Sequence, residues 1–159
     1  MALTFTPRTG VSLLHDSRVE DTLRSLRLLE LSSDLDLHVV VGVRDGDADR
    51  PALADGLRGR GTLLTIDPAT SDTQAHNTVL TAIAEQGSQY AWILRADLTF
   101  GQWTLGLLTR HLTRVPDCGV VGARIMQSGE PRKVIWSDGA TTSSDGSLTR
   151  ASAGLNRSK

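Results

Sequence analysis

The chain has 159 residues, 39% hydrophobic and 22% charged, a balance that suits one globular domain with a real core. A formal net charge of -1, with no basic block or stripe, excludes an electrostatic footprint for nucleic acid. The lone Cys118 excludes an internal disulfide and fits a reducing compartment.

The opening residues, Met1 to Arg8, lack the basic segment plus apolar stretch of a secretory signal. No run approaches the roughly 18 apolar residues of a membrane span. The expectation is a cytoplasmic chain, membrane-associated only through a partner.

Val11 to Leu14 reads as a first strand, and Ser17 with Glu20 has the Ser-x-x-Glu spacing of a capping box. The helix that follows carries Leu23, Leu26 and Leu29 on one face. Leu37 to Val41 is nearly continuously apolar, as in a strand covered on both faces. After it comes the acidic turn Gly42 to Asp49, holding Asp45, Asp47 and Asp49, and a short helix opened by Arg50-Pro51 and ending near Gly59 or Gly61.

Thr62 to Ile66 forms a third strand, and Asp72 is placed to cap a helix that buries Ala75, Val79 and Ile83 and stops at Gly87. Asn77 is expected on the inner part of that helix. Tyr90 to Leu94 is the fourth strand, ending in Arg95-Ala96-Asp97. A helix from about Gln102 to Arg114 follows, with Trp103, Leu107 and His111 in register, and Gly119 to Ile125 reads as a fifth strand.

This alternation predicts an α/β fold with a mainly parallel sheet and helices on both faces. Beyond it, Val134 to Trp136 and the segment around Leu148 flank Asp138-Gly139 and Ser144 to Gly146, which predicts a C-terminal hairpin or loose meander. Residues 1–150 are expected as one domain and 151–159 as a flexible tail.

In an α/β protein ligands sit at the C-terminal mouths of parallel strands, so Asp97 is the first candidate ligand for a metal or nucleotide. Its bland alternative is an acid near a helix N-terminus, worth about 0.3 to 1 kcal/mol. His15 and Asp16 look like an acid/base pair, but adjacent residues rarely face each other, so a loop role is expected. His38 and His111 are read as packing or surface residues, and no His/Cys/Asp grouping has zinc-ligand spacing along the chain.

Taken in order, Val11 to Asp16, Thr22 to Leu26, His38 to Asp49, Thr70 to Asn77, Ile93 to Asp97 and Cys118 to Ile125 resemble the motifs of family 2 glycosyltransferases. These enzymes have the GT-A fold, and the likeness is to the donor-binding half of the large actinobacterial members. The segment from Val134 to Gly146 is similar to the family's hairpin. The resemblance implies a Rossmann-like domain over residues 1–150 that binds a nucleotide-diphosphate sugar for glycosyl transfer to an acceptor it does not identify. It implies Asp45, Asn77, Arg95 and Asp97 as donor-binding residues, and Mg2+ or Mn2+ held by Asp97.

Three departures qualify what the resemblance implies. Arg44 stands where the family has the acid that holds the base and ribose, leaving Asp45 as the nearest substitute, and Ser71 replaces a motif glycine. Arg95-Ala96 replaces the first acid of the metal motif, which removes an oxygen ligand and adds repulsion of about 4 kcal/mol per unit charge at about 4 Å. Arg95, with Arg44, is then expected to supply the positive charge that a metal normally provides.

The family's catalytic base, a carboxylate in an acceptor region past the hairpin, has no counterpart here. The expectation is either an acceptor half supplied by a second chain or a non-catalytic relative that serves as a binding or interaction module.

Overall fold

The computed structural model describes residues 7–32, 35–126, 134–137, 140–142, 148–150 and 154–155. Four strands, β1 (Thr9–Leu14), β2 (Leu37–Arg44), β3 (Gly61–Ile66) and β4 (Tyr90–Arg95), form one all-parallel sheet in the order β3-β2-β1-β4. They alternate with helices α1 (Val19–Glu30), α2 (Arg50–Leu57), α3 (Asp72–Glu85) and α4 (Thr104–Arg114). This is the expected Rossmann-like α/β arrangement.

The register shows why the strands are so apolar. Leu13 of β1 lies between Val41 of β2 and Leu94 of β4, and all three are buried. On one face of the sheet, Val11, Leu13, Val39, Val41 and Val43 pack with Leu26 and Leu29 of α1 and Leu53 and Leu57 of α2. On the other, Leu14, Val40 and Ile66 pack with Ala75, Val79 and Ile83 of α3. Side chains that alternate along a strand therefore serve two separate apolar clusters.

Small residues set how closely α3 approaches. A Cβ on Gly10 would stand 2.1 Å from Ile83 Cγ2, so glycine there admits the isoleucine against the sheet backbone. The chain builds β1, β2 and β3 in one direction and then crosses back over them through α3 to place β4 on the far side of β1. That reversal creates a topological switch point between β1 and β4.

Several local expectations are corrected. Ser17 does not cap α1: Arg18 is the N-cap, without a side-chain bond, and Glu20 lies in the first turn. Ser71, not Asp72, caps α3, exchanging bonds with Gln74 in a capping box that leaves Asp72 as the first helical residue. In α4 the buried residues are Leu105 and Thr109, one turn apart, whereas Trp103, Leu107 and His111 are exposed. Leu107 and His111 lie two residues past Leu105 and Thr109, about 200° round the helix, on the face turned to solvent.

The chain divides into two compact units, 1–106 and 107–159. In the second unit, residues 118–124 have no regular structure and Val120 is 89% exposed, so the fifth strand shrinks to β5 (Ile125–Met126). β5 pairs antiparallel with β6 (Val134–Ser137). The hairpin forms from β7 (Ala140–Thr142) and β8 (Leu148–Arg150), so the Val134 segment is not its first arm.

Gly154–Leu155, inside the expected tail, forms β9 and pairs with Val134 and Ile135 of β6. The turn residues Asp138-Gly139 and Ser144 to Gly146 lie outside the described residues, as does the remainder of the tail. Among the described residues no helix is long and apolar enough to cross a membrane.

Candidate functional site

The switch point brings the mouth of β1, Leu14-His15-Asp16, beside the mouth of β4, Arg95-Ala96-Asp97, with Leu14 and Arg95 in register. Ala96 is 1% exposed and its carbonyl accepts from Ser25 Oγ of α1 at 3.1 Å. That burial fixes the turn, and the two polar neighbours of Ala96 are left together outside the core.

Arg95 Nε donates to Asp97 Oδ1 at 3.0 Å and Arg95 Nη2 donates to Asp97 Oδ2 at 2.8 Å. The bidentate bond holds the Asp97 carboxyl below the ordinary carboxylate value and raises the guanidinium in turn, with Asp16 adding a smaller field at Arg95. Both partners are exposed, so the pair is open to solvent and salt.

The sequence resemblance places Mg2+ or Mn2+ at Asp97, and the residues present do not fit that cation. Both oxygens of Asp97 accept from Arg95, so a cation there would meet a guanidinium already seated on the carboxylate. A hard cation takes several oxygen ligands, which this pair does not offer.

Arg44, the last residue of β2, is fastened elsewhere. Its Nη2 donates to Asp72 Oδ1 at 2.7 Å, and its Nη1 donates to the carbonyls of Asp67 and Thr70. It staples the loop between β3 and α3 to the end of β2 and does not point a free guanidinium at a ligand. Asp45 follows it in the turn closed by Gly46, whose φ of +77° suits glycine. The Asp45 amide donates to the Ile66 carbonyl at 2.8 Å, and its exposed carboxylate accepts from the Gly46 amide.

Asp45 and Asp97 are thus not brought together: β1 stands between their strands, about 10 Å of lateral spacing. Asn77 is exposed, not on the inner part of its helix as expected. It lies two residues beyond buried Ala75, a rotation of about 200° that turns it from the sheet.

A grouping that the sequence did not single out sits at the mouths of β1 and β2. His15 follows β1, its amide donates to the Gly42 carbonyl at 2.9 Å, and its side chain is 3% exposed. Nδ1 is hydrogen-bonded to Thr22 Oγ1 of α1 at 2.8 Å. Nε2 faces Asp49 Oδ2 at 3.4 Å and Asp47 Oδ2 at 3.8 Å.

The two acids are oriented by their own turn. Asp47 Oδ1 accepts from the Asp49 amide at 2.8 Å, leaving Oδ2 toward the histidine. Asp49 occupies the N-cap of α2 but makes no side-chain cap bond, so its carboxylate is not used by the helix. The alternation Asp45, Asp47, Asp49 was visible in the sequence, but the parallel register that carries it to His15 was not.

An apolar pocket of about 320 Å³ lies at the opposite end of the sheet, lined by Leu26, Leu29, Leu37, Val39 and Leu57 with Glu30 and Arg60 among its polar residues. It adjoins the start of β2, away from the strand mouths. No protein-family model matches the chain, and no curated protein matches it.

Proposed function

We propose that this chain is a GT-A-like domain that binds a nucleotide-diphosphate sugar at the C-terminal mouths of its parallel strands, with glycosyl transfer as the implied activity. The observation that carries the reading is the switch point between β1 and β4, where Arg95, Asp97 and Asp16 gather outside the core. Open α/β sheets bind ligands in that crevice. A guanidinium fork suits a diphosphate, which would draw Arg95 from Asp97 by offering two charge-assisted acceptors in its place.

In this reading Arg95 grips phosphate and Asp97 holds the fork in position until the ligand arrives. Asp45 lies toward the base and ribose. Asn77 contributes only where the donor reaches the exposed side of α3. Among the described residues none is placed as the general base, so this reading covers donor binding alone.

A non-catalytic binding module is the second reading, and the same ion pair favours it. A carboxylate whose oxygens are both satisfied within its own chain resembles a site that has given up its metal. Calorimetry with UDP-, GDP- and dTDP-sugars, with manganese and with chelator, separates the two. Binding that survives chelation and is lost in Arg95→Ala supports the donor reading; no heat with any nucleotide sugar overturns it in favour of the module.

A further inference from the structure

We infer that His15, Asp47 and Asp49 form a binding site for a first-row divalent cation of the zinc class, separate from the position at Asp97. Their ligating atoms, one imidazole nitrogen and two carboxylate oxygens, all lie within 4.8 Å of one another. Ligands about 2.1 Å from a tetrahedral centre stand roughly 3.4 Å apart. Nε2 and Asp49 Oδ2 are at 3.4 Å, and Asp47 Oδ2 needs only a small side-chain turn to close from 3.8 Å.

The buried histidine supplies the independent sign of a ligand. Its side chain is 3% exposed and Nδ1 is engaged by Thr22, yet Nε2 approaches no acceptor within the usual 2.7 to about 3.2 Å of a hydrogen bond. In the tautomer that donates Nδ1–H to Thr22, Nε2 presents its lone pair to the two carboxylates, and three acceptor atoms face one point. A cation resolves that convergence, and the Nδ1 bond to Thr22 is the outer contact that fixes the tautomer of a metal-bound imidazole.

Charge and solvation point the same way. Among the described residues neither Asp47 nor Asp49 has a lysine or arginine partner. The imidazole suits zinc, cobalt or nickel better than magnesium or manganese, which prefer oxygen ligands. Exposure rises from His15 to Asp47 to Asp49, at 3%, 22% and 43%, so the fourth position opens to water on the Asp49 side.

The test uses the full, tag-free chain stripped of metal and titrated with Co2+, then Zn2+, with no nucleotide present, so its outcome is independent of donor binding. One equivalent of Co2+ with the visible bands of a tetrahedral site, displaced by Zn2+, is expected. Asp47→Asn and Asp49→Asn, both in the exposed turn, should each weaken binding by about tenfold or more. Asp97→Asn should leave it unchanged. No cobalt bands and no zinc heat at millimolar metal, binding undiminished in both turn variants, or equal loss in Asp97→Asn would each overturn the assignment.

Discussion

The mouths of β4 and of β1 with β2 both carry acids, and they treat them in opposite ways. At β4 the acid is answered within two residues: Asp97 accepts both arms of Arg95, which sets a positive charge where a cation would sit. At β1 and β2 the acids face one buried imidazole nitrogen at 3.4 and 3.8 Å, and neither has an arginine to answer it among the described residues. The lesson is that a carboxylate's position at a strand mouth does not by itself make it a metal ligand. What its oxygens already accept decides.

The largest test removes the scaffold that both mouths share. Leu13 is fully buried between Val41 and Leu94, so Leu13→Ala should destabilise the chain by about 2 to 5 kcal/mol in denaturant unfolding. Both mouths should weaken together; a loss confined to one would show that they are held independently.

A smaller effect is expected from a double-mutant cycle on Arg95→Ala and Asp97→Ala. Because both side chains are exposed, the coupling should be about 0.2 to 1 kcal/mol and should shrink with added salt. A salt-insensitive coupling would mean that the pair is shielded and that the contrast with the His15 grouping is overstated.

The smallest effect is read against pH. Asp97 is lowered from its ordinary 3.8 by the Arg95 bond, so its contribution is full above that value and lost as pH falls through the lowered one. Asp97→Asn should remove that acid slope. His38, at the other end of β2, is lowered from 6.5 by burial first and by Arg8 next, against an opposing pull from Asp36. Its neutral form suits the fold, so stability should fall as pH drops below 6.5 toward the lowered value, and His38→Gln should flatten that window alone. A shared slope would contradict the independence of the two ends.

Much of the first unit was legible because two periodicities dominate it. The apolar runs at Leu37 to Val41 and Tyr90 to Leu94, and the repeats Leu26–Leu29 and Ala75–Val79–Ile83, fixed strands, helices and inward faces before any coordinates. Asn77 follows the same arithmetic: two residues from buried Ala75 is the far side of the helix, where it is exposed. The Gly119 to Ile125 run is apolar enough for a strand, yet it forms only two residues of ladder.

The site was less legible because it depends on register. Arg95 and Asp97, two apart across buried Ala96, could have been read as a pair from spacing alone. The companions of His15 lie more than thirty residues on and reach it only through β1 pairing with β2, which no local spacing reveals.

The strand order also sets unequal costs of closure within one sheet. β1, β2 and β3 join through single short crossovers, whereas β4 must return to β1 across a far longer stretch of chain. Closing a loop about three times longer costs on the order of 1 kcal/mol more in chain entropy. The β1–β2 mouth therefore carries the smaller closure cost, and the β1–β4 crevice is the part of the sheet whose second wall is held against the larger one.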